Sequence, residues 1–353
     1  MVEHKRDYTI DGIKALGLIF MVLGHCGFPG THFIYLFHMP VFFIASGYLF
    51  CENRVTTING IIDYIKKKIR SLWLPYIKWN ALFILMNNLF VITHLYYDNY
   101  LKISDIIIGL AKLLCFKGGS LFASAFWFVR TLFLVEVLFA LFVFVCSKLK
   151  HIKENQMVAN GIFAIVYLMI AYILSVKEIN LCDLAPVFIG SFLFVLGYFI
   201  KKLNLMKYSG KWACVIAFLV LLALSPNGRV LLNENQFTTP LYIFLTSISG
   251  WYFLYGICNV LVKKNTIRLF FQTITKNALT IMALHFLLFK IVILVQIRLW
   301  GLSIEKLSTF PVLNGENGWW IVYAFFGICG PLLFIKIKDI LCRLIFKRKE
   351  QCA

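Results

Sequence analysis

Runs of about 18 or more mostly apolar residues recur from one end of this chain to the other, with short charged stretches between them. That recurrence restricts the fold more than any single motif. In a bilayer every backbone polar group must be satisfied inside the protein, and a set of helices meets that demand without further devices. The expected fold class is therefore all-α, a polytopic membrane protein. Composition agrees: 61% of the 353 residues are hydrophobic and 14% are charged, far from the balance of a soluble domain.

Ten apolar segments read as helices: Asp11–Phe28, Phe33–Phe50, Leu72–Leu95, Phe126–Ser147, Val158–Leu174, Ala185–Ile200, Trp212–Leu224, Pro240–Val262, Ala278–Leu299 and Trp319–Lys336. The sixth and seventh are short for a span of about 20 residues. The formal charge of +19 raises the question of nucleic acid, but the positive charges cluster between apolar runs, as the positive-inside rule requires, so no nucleic-acid partner is expected. Sorted by connection, 24 Lys and Arg fall on one side and six on the other. This alternation places both termini in the cytoplasm and the protein in the plasma (inner) membrane. The start MVEHKRDYTIDG lacks a small-residue cleavage site and reads as a retained cytoplasmic end. Residues 104–116 have the pattern of a surface-lying or re-entrant helix. No loop has room for a soluble catalytic domain, so residues 1–353 form one membrane-embedded domain, with a basic tail from about 337 to 353. The ten cysteines are isolated, which argues against a disulfide framework and against a zinc site, and no metal is expected.

Ionisable residues inside apolar runs are expensive, and they locate the candidate chemistry. In the first segment Lys14 and His25 are eleven residues apart, about 20° from perfect alignment on a helix, and Asp11 shares their face. His25 lies about 16 Å beyond Lys14 along the axis. Such a histidine can satisfy a backbone carbonyl or act as a general base. His38 precedes Pro40 in the second segment, where Ser46-Gly47 suits close helix packing better than nucleophilic catalysis. Lys66, Lys67, Lys68 and Arg70 precede the third segment, either as interfacial anchors or, through Lys67 and Arg70 at i and i+3, as a clamp for phosphates. Arg130 and Glu136 are 240° apart on one helix and need separate partners. In the ninth segment His285 is mid-span, Lys290 is long enough to snorkel outward, and Asn277 is placed as an N-cap.

These pieces, in this order, resemble the acyltransferase-3 family of ten-helix membrane O-acyltransferases. The resemblance rests on Lys14-x10-His25, on Phe37-His38-Met39-Pro40 running into Phe42-Phe43-x-x-Ser46-Gly47-Tyr48, and on Lys67-x-x-Arg70 before Leu74-Pro75-Tyr76. Trp127-Phe128 and the stretch from Asn277-Ala278-Leu279 to His285 complete it. Lys stands at 14 and 67 where the family carries Arg, and Ala283 where it often has an aromatic residue. The resemblance implies transfer of an acyl group, usually acetyl, from acetyl-CoA to a hydroxyl of a surface glycan or lipid-linked sugar. Carried onto this chain, it implies His25 as base or transient acyl carrier, with Asp11, Lys14, Arg130 and His285 as its catalytic neighbours. Lys67 and Arg70 would hold the CoA phosphates, and His38, Glu136 and Trp127 would meet the acceptor. Acyl-CoA, the glycan acceptor and the bilayer are then the partners, and whether the chain works alone or as a homodimer stays open. A proton-coupled transporter of a small anionic or sugar-like solute would also carry such residues, though no inverted repeat accompanies them. A different membrane acyltransferase superfamily with a late Asn/His pair would leave the first helix without a role.

Overall fold

The computed structural model describes residues 7–350, with side chains through Arg343. Lys5, Arg6, residues 351–353 and the side chains of Lys347, Arg348 and Lys349, counted above with the basic clusters, lie outside that range. Helix α1 runs Tyr8–Gly24, N-capped by the Asp7 carboxylate on the N–H groups of Thr9 and Ile10. The second apolar segment is not one helix. It divides into α2, Thr31–Tyr35, and α3, Pro40–Tyr48, because Pro40 has no N–H to continue the ladder and instead opens a new helix.

The third segment extends further towards the N-terminus than its apolar residues indicate. Helix α4, Ile58–Lys68, passes through a π-helical stretch, Ile69–Trp73, into α5, Leu74–Leu85, and then α6, Asn87–Ile92. The π stretch lies immediately N-terminal to Pro75, where the α-helical ladder loses a donor. The basic cluster therefore stands on a rigid helix rather than in a loop. Helix α7, Ile103–Leu114, forms where a surface-lying or re-entrant helix was expected, and most of it is exposed.

The remaining helices are α8, Trp127–Lys148; the short α9, Lys150–Glu154; α10, Gln156–Val176; α11, Ala185–Lys202; α12, Lys211–Leu224; and α13, Pro240–Leu261. Three more follow: α14, Asn265–Lys276; α15, Ala278–Trp300; and α16, Trp319–Glu350. Helix α14 was not foreseen; it packs its apolar side against α1. Between α12 and α13 the turn-rich sequence closes a small antiparallel hairpin, β1, Val230–Leu231, against β2, Gln236–Phe237, so among the described residues the fold is all-α but for these two short strands. Asn235 turns the hairpin at φ 53° and donates to the Ala171 carbonyl at 2.9 Å. Among the described residues, six helices are long and apolar enough to cross a membrane: 121–148, α10, α11, α13, α15 and the first 25 residues of α16.

The centre of the bundle is set by α3 against α11. A Cβ on Gly47 would stand 1.7 Å from the Phe194 carbonyl oxygen, and one on Gly197 would stand 2.0 Å from that of Ile44. The two backbones touch reciprocally, which side chains at either position would prevent. Aromatic rings of Phe50, Phe139, Phe194 and Tyr198 fill the space beside this contact. At one end, here called the basic end, Glu52 binds Tyr198 and Lys202, and Lys148 donates to the Thr56 carbonyl at 3.0 Å.

Two side chains differ from expectation. Lys290 does not snorkel: it is buried and donates to the carbonyls of Leu307 at 2.9 Å and Thr309 at 2.7 Å, since a nearby loop offers acceptors without a path to water. Asn277 sits at the N-cap position of α15, but its amide donates back to the Thr273 carbonyl in the last turn of α14, at 2.8 Å, and does not cap α15.

Candidate active site

Two cavities enter the bundle from opposite ends, and α1 contributes to both. The one at the basic end, about 490 Å³, is lined by Lys14, Ser46, Arg54, Lys67, Lys68 and Glu136. The buried Glu136 carboxylate pairs with Lys68, itself a member of the basic cluster. Arg70 and Lys67 meet in an adjoining recess of about 510 Å³ with Asp63, Lys66 and Ser71. Lys67 and Arg70 are both exposed there, on the rigid rod of α4 and its π continuation. The i, i+3 pair thus opens to solvent beside the Lys14 cavity. Asp11, a turn before Lys14 on α1, lines neither cavity.

The cavity at the far end is larger, about 640 Å³, and holds His25, His38, Trp127 and Arg130 with Tyr35 and Asp183. His25 is the residue just past α1, where the chain leaves the helix. Its approach is set by Tyr35, whose hydroxyl donates to the Gly24 carbonyl at 3.0 Å and whose ring lies where a Gly24 side chain would be. His38 donates from Nδ1 to the Ile34 carbonyl at 2.9 Å, which assigns its proton and leaves Nε2 as the acceptor.

His285 makes the same commitment. Its Nδ1 donates to the carbonyls of Met282 at 3.0 Å and Ile281 at 3.2 Å, while its buried Nε2 has no partner among the described residues. Its ring stacks on that of His25 with centroids 5.6 Å apart. Phe286 packs against both imidazoles. Arg130 is buried and spends two donors on the carbonyls of Phe116 at 3.0 Å and Asp183 at 2.7 Å, tying together two loops that wall the cavity.

The structure thus brings His25, His38, His285, Arg130 and Trp127 to one end and Lys14, Glu136, Lys67 and Arg70 to the other. The stripe of Lys14 and His25 seen on one helix face is divided along the axis, so Lys14 is not beside His25. Three contributors were missed. Lys68 was grouped with anchoring charges, although it is the partner of Glu136. Arg54 was passed over in a loop. Asn80, buried in α5, accepts from the Ser120 N–H at 3.2 Å and donates to the Tyr76 carbonyl, holding the 117–120 wall of the far cavity. An Asn within an apolar run was a readable signal.

The bundle of apolar helices holds a histidine cluster at one end and a cationic recess at the other, in a chain whose helix lengths and composition suit a multi-pass membrane protein. The chain matches an acyltransferase domain over residues 7–336 and belongs to the acyltransferase-3 family, as its motifs implied. It is a membrane acyltransferase. Neither the curated proteins nor the solved structures contain a match to it.

Proposed function

We propose that this protein moves an acyl group, acetyl first among them, from cytoplasmic acyl-CoA to a hydroxyl of a cell-surface or lipid-linked glycan. In this reading the chain crosses the plasma membrane ten times, with both termini and the basic end in the cytoplasm. The observation that carries it is the division of α1 between two cavities: Lys14 in a cationic one and His25 in the other. Acyl-CoA is a polyanion made in the cytoplasm, and Lys67 with Arg70 offers its phosphates paired cations at the rim. The far cavity offers an acceptor sugar aromatic and polar walls, through Trp127, His38, Tyr35 and Arg130.

His25 takes the proton of the acceptor hydroxyl as its oxygen attacks the thioester carbonyl carbon. The tetrahedral intermediate collapses with cleavage of the C–S bond, and the CoA thiolate leaves and takes up the proton that His25 accepted, which restores the free base. His285, fixed through Nδ1, sits against the His25 ring as a positioning neighbour. Negative charge developing on the carbonyl oxygen at His25 faces Arg130, which lines the same cavity, while Lys14 across from it lines the donor side. Glu136 holds Lys68 in the wall of the basic cavity.

The test is mass spectrometry of surface glycans from a deletion strain complemented with the wild type or with His25→Ala, each shown to reach the membrane. Restoration of an O-acyl group by the wild type alone is the expected outcome. Restoration by both removes His25 from the chemistry, and no acyl change on any glycan or envelope lipid overturns the reading in favour of a proton-coupled transporter.

A further inference from the structure

The two cavities are separated by a partition only one helical turn deep along two of its walls. On α1, Lys14 lines the basic cavity and Leu18 the far one; on α3, Ser46 lines the basic cavity and Phe42 the far one. Four residues of helix rise about 6 Å. Within that single turn stands Gly17, and the place its side chain would take is occupied by the edge of the Phe42 ring, with Cε2 and Cζ 2.9 Å from an ideal Cβ. The other side of the ring rests on Phe128, centroids 5.2 Å apart. Phe42 is only partly buried, although it fills the partition, because its remaining surface opens into the far cavity. It also lies in the first turn of α3, two residues after the break at Pro40, where fewer helical bonds hold it.

We infer that Phe42 and Gly17 form the passage between the donor and acceptor cavities and set the length of acyl chain that crosses it. This inference rests on the acyl-CoA reading above. A thioester approaching His25 from the basic cavity must pass α1 at Gly17, and room is made there when the Phe42 ring swings into the far cavity. The slot is as wide as an aromatic edge, which suits an acetyl group and crowds longer chains. In an apolar pocket one methylene changes transfer by about 10–200-fold, so a ring at this point is a steep selector. Gly17 is needed because any side chain on α1 would press Phe42 into the passage.

Inverted membrane vesicles from a deletion strain expressing each variant, which contain the natural acceptor, are supplied with acetyl-, propionyl- or butyryl-CoA, and release of CoA thiol is read above a His25→Ala background. Wild type should use acetyl-CoA and lose rate with each added carbon. Phe42→Ala should raise the butyryl-to-acetyl rate ratio about tenfold or more. Gly17→Val should lower acetyl release while purified protein binds CoA with unchanged affinity. Should Phe42→Ala fail to accumulate, Phe42→Leu should shift the ratio in the same direction by less. A wild type indifferent to chain length, or an active variant with the wild-type ratio, overturns the passage. A wild type that releases CoA from none of the three overturns the donor reading and the passage with it.

Discussion

The imidazoles of His25 and His285 lie with centroids 5.6 Å apart and planes 29° from parallel, although 260 positions of sequence separate them. Because His285 donates from Nδ1 to backbone carbonyls, its Nε2 lone pair is the group left to face its surroundings. His285→Phe keeps the ring and removes that lone pair. It should lower kcat by about 10–100-fold with the KM for acyl-CoA unchanged, whereas His25→Ala should cost about 10²–10⁴-fold, the usual worth of a general base. Full activity in His285→Phe would reduce His285 to packing.

The clamp assigned to Lys67 and Arg70 makes a different kinetic signature. Both side chains are exposed at the rim and distant from His25, so Lys67→Ala and Arg70→Ala should raise the KM for acyl-CoA and leave kcat within about twofold. The effect should fade for a donor lacking phosphates, such as an acyl-pantetheine, and should weaken with added salt as screening grows. A drop in kcat alone would place these residues elsewhere in the cycle.

Glu136 is buried and paired with Lys68, whose side chain is partly open to the cavity. Removing one member of such a pair leaves an uncompensated charge, worth about 3–5 kcal/mol, while replacing both with apolar residues can be neutral. Glu136→Leu should therefore lower the thermal midpoint in detergent, and the double variant Lys68→Met with Glu136→Leu should recover most of it. Additive losses in the double variant would show that the two residues are not coupled.

The reciprocal contact of α3 and α11 predicts which glycines tolerate a methyl group. Gly47→Ala and Gly197→Ala put a Cβ into a carbonyl on the facing helix and should abolish the monodisperse peak in size-exclusion chromatography. Gly161→Ala has its nearest neighbour at 3.9 Å and should be neutral or stabilising by about 0.5–1 kcal/mol, since alanine favours a helix interior.

Much of this architecture was legible in the sequence. Apolar runs locate helices because hydrophobic length is a local property, and all ten apolar segments are helical wholly or in large part. What misled was also local. Pro40 splits the second segment, a polar α4 extends the third, and α14 hides in a basic connection, because helix content there depends on what each surface packs against. Lys290 was read as able to snorkel outward and is instead bound to carbonyls that lie 17 and 19 residues away.

By itself the sequence determined the class of protein and the family, and it singled out the candidate site residues, since lipid imposes its rules residue by residue and intramembrane charge is conspicuous. Only the tertiary structure decided how those residues divide. Lys14 and His25 share a helix face, yet they open to opposite ends, and in the first turn after Lys14 the ring of Phe42, from α3, packs against Gly17. The pairings of His25 with His285 and of Lys68 with Glu136 likewise arise from helix packing. Spacing within one helix gives angle and height, but which neighbour fills the gap is set by the meeting of separate helices.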